Sequence, residues 1–185
     1  MPRPAASLFV AVALTAASSC GPAAGETHRP EAVAKRAAWQ DAARLTDAAA
    51  AAPGDDAVLA VIFDEPIKGH LSSLGVFADG AAKMVATTGT GVDLPLEATG
   101  ELMRKAARDL CAEAERLRKR FNGDAAPEPP RKGALRVVVV TKRGILSAEV
   151  AQTAMQDGTS PLASLAPGYM GLMKTFSALH RAGAR

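Results

Sequence analysis

Two apolar segments constrain the fold of this 185-residue chain more than any other feature. Ala57–Phe63 reads AVLAVIF and Leu135–Thr141 reads LRVVVVT, and turn-forming residues bound both segments. Alternate side chains of a strand point to opposite faces of its sheet, so a strand that is apolar throughout needs cover on both faces. The two segments are therefore predicted to be central strands of a sheet that has helices packed against it.

A hairpin is predicted between these two segments. Leu74–Ala78 and Ala81–Thr87 flank Asp79-Gly80, a dipeptide that tolerates the positive φ of a tight type I′ turn. The segments expected to break or connect strands are Asp64–Pro66, Lys68–Ser73 and the loop Thr88–Gly91.

Three helices are predicted, and with Ile145–Val150 as a further strand they complete the domain. Glu31–Ala52 is rich in helix-forming residues, and Leu94–Phe121 repeats apolar residues every three or four positions. The third helix runs from Ser160 to Gly183, with an interruption expected at Pro167-Gly168. The order predicts an α+β fold, a mixed sheet of about five strands packed by three helices.

The first residues of the chain have the composition of a secretory signal peptide. Arg3 supplies a positive charge, and the uncharged segment Ala5–Ala17 follows it. A helix of about thirteen residues spans roughly 20 Å, which is too short for a hydrocarbon core of about 30 Å. A charged start, a short apolar core and small residues at the end are typical of a segment that is removed after export.

The run Ala17-Ser18-Ser19-Cys20 resembles the lipobox of bacterial lipoproteins, with alanine at 17 where that family most often has leucine. The resemblance implies that Cys20 becomes the mature amino terminus and carries a diacylglycerol and an acyl chain, which anchor the protein in a membrane. It divides the chain into a signal peptide (1–19), a flexible tether (20–29) and a single α+β domain (30–185).

The location predicted from this resemblance is the bacterial cell envelope. Gly21, rather than aspartate, follows the cysteine, which in a Gram-negative cell favours the outer membrane, facing the periplasm. The alternative is a secreted or soluble periplasmic protein that is cut after Ala24 or Gly25 and loses Cys20.

Composition argues against several kinds of partner. The net charge is +3, or about +2 without Arg3, which is too small an excess to indicate nucleic acid. The two cysteines are Cys20 and Cys111, so loss or lipidation of the first leaves no disulfide within the mature chain. No CxxC, HExxH or EF-hand pattern is present, and neither a metal nor another cofactor is predicted.

The catalytic candidates in the sequence are weak. Ser72 or Ser73 with His70 and Asp64 could be imagined as a hydrolase triad, but adjacent residues on one loop rarely orient a nucleophile against its base. The acids Asp55, Asp56, Asp64 and Glu65 are candidates for a metal site or an acid–base pair, but they lie at opposite ends of a strand and are better explained as turn formers. The glycine-rich segment Thr87–Gly91 is a candidate phosphate-binding loop, and its simpler interpretation is a flexible loop.

The helix Leu94–Phe121 holds two further candidates. A basic face could contact anionic lipid headgroups beside the anchor, although charges on a helix are usually just solvated. Cys111 is predicted to be a small core residue rather than a nucleophile. The residues of the basic face are Arg104, Lys105, Arg108, Arg118 and Lys119.

The function expected from these observations is that of a non-enzymatic, lipid-anchored envelope protein that binds a partner, most simply another protein. Two alternatives remain open. One is an exported hydrolase with a non-standard site, and the other is a carrier of an apolar ligand, which would need a large dry cavity between helix and sheet.

Overall fold

A six-stranded antiparallel sheet forms the centre of the protein. The structure is a computed structural model that describes residues 34, 37–41, 43, 47–67, 70–86, 91–93, 100–123 and 130–183. The strands follow the order β4-β3-β2-β1-β5-β6 across the sheet. They are β1 (Val58–Ile67), β2 (His70–Phe77), β3 (Ala82–Ala86), β4 (Gly91–Asp93), β5 (Ala134–Thr141) and β6 (Ile145–Ala151).

The predicted α+β class is confirmed, and both apolar segments are inner strands, since β1 pairs with β2 and β5, and β5 pairs with β1 and β6. The sheet differs from the expected mixed one because every pairing is antiparallel. It also gains a strand, because Gly91 starts β4 instead of ending a loop.

The described helices fall within the three predicted segments, apart from one short addition after β6. Gly100 is the N-cap of the second helix, and Pro167 is the second residue of the last one. Proline is tolerated in the first turn because its missing amide would have no partner there, so Pro167-Gly168 does not interrupt the helix. The helices are α1 (Asp47–Ala51), α2 (Glu101–Arg116), α3 (Gln152–Gln156) and α4 (Ala166–Gly183), with 3₁₀ turns at Arg118–Arg120 and Ala163–Leu165.

The expected break at Asp64–Pro66 is wrong, because β1 continues to Ile67 and β2 begins at His70. Two acidic side chains, Asp64 and Glu65, lie within this strand, and each accepts a hydrogen bond from another element. Pro66 lies beyond Asp64↔Arg136, where the pairing of β1 with β5 ends, and proline is tolerated where a strand lacks a second neighbour. The expected polar connection Lys68–Ser73 is therefore largely strand.

The predicted hairpin at Asp79-Gly80 is confirmed. The Phe77 amide donates to the Ala81 carbonyl at 2.9 Å, and Asp79 Oδ1 accepts from the Ala81 amide at 2.8 Å. Gly80 has φ +96°, the left-handed conformation that makes glycine favourable at this position.

Apolar clusters cover both faces of the sheet. On one face, Phe63 and Val139 pack with Leu110 of α2 and Phe176 of α4. On the other face, Trp39 packs with the group Ala43, Ala49, Ile62, Phe77, Val138 and Val140. Residues of the predicted N-terminal helix therefore belong to the core.

None of the helices in the described ranges combines the length and the apolar character needed to cross a membrane. The predicted signal peptide, Cys20 and the tether lie outside the described residues.

Candidate functional site

A row of polar side chains crosses four strands on the face of the sheet that Trp39 covers. Direct cross-strand pairing places Glu149 opposite Arg136, Arg136 opposite Asp64, and Asp64 opposite Ser73. Ser73 Oγ donates to Asp64 Oδ1 at 2.6 Å, and Arg136 Nη2 donates to Glu149 Oε2 at 3.1 Å. Asp64, Ser73 and Arg136 are buried. The row satisfies its own hydrogen bonds, as buried polar groups must.

Two arginines control the charge of Glu149. Burial acts to raise the pKa of Glu149, but hydrogen bonds from Arg136 and Arg131 outweigh burial and hold this pKa below its ordinary value. Glu149 therefore remains a carboxylate while it compensates the buried Arg136 guanidinium.

The structure brings together two members of the imagined hydrolase triad, Ser73 and Asp64, but not in an arrangement suited to catalysis. Asp64 is 1% exposed and Ser73 is 2% exposed, so neither is accessible to a substrate. His70 pairs with Ile67, three positions along the ladder from the Asp64↔Ser73 pair. Its side chain lies outside the described part of the structure.

A solvent-facing groove of about 590 Å³ lies between α2 and the turn that precedes β1. The Asp56 carboxylate in that turn forms ion pairs with Arg118 and Arg143, both at 3.4 Å, and Glu115 accepts a hydrogen bond from the Val58 amide at 2.9 Å. These contacts fasten the turn to α2 and to the β5–β6 connection. The interpretation of Asp55 and Asp56 as turn residues is confirmed, since both lie in this turn.

Cys111 is one of the residues that line this groove, and it is 4% exposed. Burial raises the pKa of its thiol to about 12, and the charge of Asp79 adds to the effect. The thiol is therefore protonated at neutral pH and has no thiolate character. Cys111 is a core residue, as its position on the helix predicts.

The basic face of α2 is largely neutralised by acids of the same helix. Arg104 and Arg108 both pair with Glu101, at 2.9 and 2.7 Å, and Lys105 pairs with Asp109 at 2.6 Å. Of the glycine-rich candidate Thr87–Gly91, the structure describes Gly91 alone, at the start of β4.

Glu65 and Tyr169 form a contact that the sequence does not predict, because 104 positions separate them. The Tyr169 hydroxyl donates to Glu65 Oε2, which joins α4 to β1. The Tyr169 ring stacks on Phe63 with centroids 4.7 Å apart and is 5% exposed. Burial raises the pKa of Tyr169 above its ordinary value, and the adjacent Glu65 carboxylate raises it further.

A cavity of about 150 Å³ adjoins this pair, enclosed by β1, β5, α3 and α4. Its walls are mainly apolar, with Leu135 on the sheet and three methionines on the helices. Its polar lining residues are Glu65, Tyr169, Gln152 and Gln156, and none of the described lining residues is a lysine or an arginine. The methionines are Met155, Met170 and Met173.

Comparisons with known protein families, with curated proteins and with solved structures found no match to this chain. Among the described residues, the histidine, cysteine and carboxylate side chains form no group of three that could hold a metal ion.

Proposed function

We propose that the protein is a lipid-anchored lipoprotein of a bacterial cell envelope, whose α+β domain binds another protein. The observation that carries the proposal is the run Ala17-Ser18-Ser19-Cys20 behind a short uncharged apolar segment. Each methylene of an acyl chain that enters the membrane contributes about 0.8 kcal/mol, so two or three chains on Cys20 hold the protein there almost permanently.

The domain's interior favours a protein partner over a large apolar ligand. Clusters of aliphatic and aromatic side chains fill the spaces on both faces of the sheet. The cavity between α4 and the sheet measures about 150 Å³, whereas sites for drug-sized ligands typically measure about 300–1,000 Å³. A carrier of fatty acids or similar ligands would need an enclosed site with more room than this cavity offers, and the larger groove beside α2 is open to solvent.

The experiment that tests the anchor is an intact mass of the protein extracted from cell membranes with detergent. We expect a chain that begins at Cys20 and carries the added mass of the diacylglycerol and acyl chains. The matched control is Cys20→Ser, which removes the thiol with little change in size and is expected to abolish the added mass and the membrane association. A lipid-free chain that begins after Ala24 or Gly25 would overturn the proposal and indicate a soluble exported protein.

A further inference from the structure

Within the described part of the chain, Glu65 differs from the other glutamates because no cationic side chain there pairs with it. Its carboxylate is half-buried and accepts one hydrogen bond, from the neutral Tyr169 hydroxyl. The other described glutamates each have an arginine nearby: Glu101 at 2.7 Å, Glu113 at 2.8 Å, Glu115 at 3.7 Å and Glu149 at 3.1 Å. An ionised carboxylate that is partly removed from water is costly unless a positive charge or several donors compensate it.

The surroundings of Glu65 leave hydrogen-bonding capacity unused. A carboxylate has about four lone-pair sites, and Tyr169 occupies one of them. Ser72, directly opposite Glu65 in the β1–β2 ladder, is 5% exposed, and its buried hydroxyl has no hydrogen-bond partner among the residues that the structure describes. Among the described residues, Glu65 and Ser72 therefore form a polar position whose hydrogen bonds are incomplete.

The cavity beside Glu65 limits the size and the chemistry of a ligand that could pair with the Glu65 carboxylate. A cavity of about 150 Å³ holds a molecule the size of benzene. Thioether and aliphatic walls suit an apolar body, and the lining also includes two residues with amide side chains, Gln152 and Gln156. Glu65 is the one charged residue among the described residues of the lining, so the complementary head is a cation.

We propose that this cavity is a binding site for a small organic cation, in which Glu65 pairs with an ammonium group and the methionine-lined wall receives an apolar body of about six heavy atoms. Tyr169 holds the Glu65 carboxylate in place from the side of α4, so that the free oxygen stays directed to the ligand. The site is independent of the anchor at Cys20.

The test is a calorimetric titration of the mature protein in detergent with three ligands of equal size and different charge: benzylammonium, benzyl alcohol and benzoate. We expect saturable binding of benzylammonium, binding of benzyl alcohol that is at least tenfold weaker, and no binding of benzoate. Equal affinities for the three ligands, or no saturable binding of benzylammonium, would overturn the proposal.

A pair of variants isolates the role of Glu65. Glu65→Gln keeps the shape of the side chain and an acceptor for Tyr169, and it is expected to weaken benzylammonium binding at least tenfold. Glu101→Gln, which removes an exposed carboxylate on α2, should bind like the unaltered protein in the same detergent. Unchanged affinity in Glu65→Gln would contradict the proposal. If that variant does not fold, the charge series on the unaltered protein still decides, because it needs no substitution.

Discussion

Charged residues that are buried in the sheet are stabilised by partners on neighbouring strands. Arg136 interrupts an otherwise apolar run, and its side chain is 9% exposed. An unpaired guanidinium in that position would be strongly destabilising, and Glu149 on β6 supplies the compensating carboxylate at 3.1 Å. Part of the stability of the fold is therefore linked to the ionisation of one glutamate.

This linkage predicts a pH-dependent effect of Glu149→Gln. The pKa of Glu149 is lowered in the folded protein from its ordinary value of 4.5, so folding favours the charged form. The stability that this charge contributes is present above the unfolded pKa and is lost as the pH falls through the folded pKa. Urea unfolding at several pH values should show the unaltered protein more stable than Glu149→Gln above about pH 5, with the difference shrinking under acid conditions.

The control is Glu101→Gln, whose ion pairs with Arg104 and Arg108 are exposed to solvent. Exposed pairs contribute little, so this variant should lose less stability than Glu149→Gln at neutral pH. A Glu149→Gln variant whose stability differs from that of the unaltered protein by the same amount at every pH would show that the charge is not the cause.

At the scale of elements, α4 packs on α2 at a glycine. An added Cβ at Gly168 would lie 2.8 Å from both Cγ and Cδ2 of Leu110, whereas one at Gly171 would meet nothing within 4 Å. The two glycines lie on the same helix and differ in their packing, so they form a matched pair.

We predict opposite effects for Gly168→Ala and Gly171→Ala on the free energy of unfolding. Alanine in place of glycine stabilises a helix by about 0.5–1 kcal/mol, and at Gly171 nothing opposes this gain. At Gly168 the collision with Leu110 should outweigh the gain and give a net loss of about 1–2 kcal/mol. Thermal or denaturant melts of both variants measure the difference, and a Gly168→Ala variant as stable as Gly171→Ala would refute the close packing.

The elements that the sequence predicts well are those whose signal is local. The Asp79-Gly80 hairpin depends on residues next to each other, and the two central strands are predicted to be buried because their sequences are almost entirely apolar. The passage of β1 through Asp64 and Glu65 could not be predicted in this way, because the hydrogen bonds that those carboxylates accept come from Ser73 and Tyr169 on other elements. Arg136 within an apolar run was a signal for a buried ion pair, but nothing in the sequence identifies Glu149 as the partner.

At the scale of the whole molecule, the N-terminal helical segment is the cover for one face of the sheet. Trp39 is 3% exposed and approaches β2 so closely that a Cβ on Gly75 would lie 2.9 Å from its ring. Because Gly75 has no side chain, it leaves the space on β2 that the Trp39 indole occupies. The sheet is therefore covered by α2 and α4 on one face and by this N-terminal segment on the other.

We therefore expect a truncated protein that starts at Pro53, and so lacks Trp39, to have a much lower free energy of unfolding. A protein that starts at Gly25 retains this segment and should be as stable as the complete domain. The loss of a buried tryptophan alone typically costs about 3–5 kcal/mol, a large share of the 5–15 kcal/mol by which native domains are stable. The shorter chain would also expose Ile62, Val138 and Val140, and a contiguous apolar patch of this kind promotes aggregation. Size-exclusion chromatography and thermal melts of the two truncations test this. A monomeric chain from Pro53 that melts at the same temperature as the longer one would mean that the segment only rests on a sheet that is stable without it.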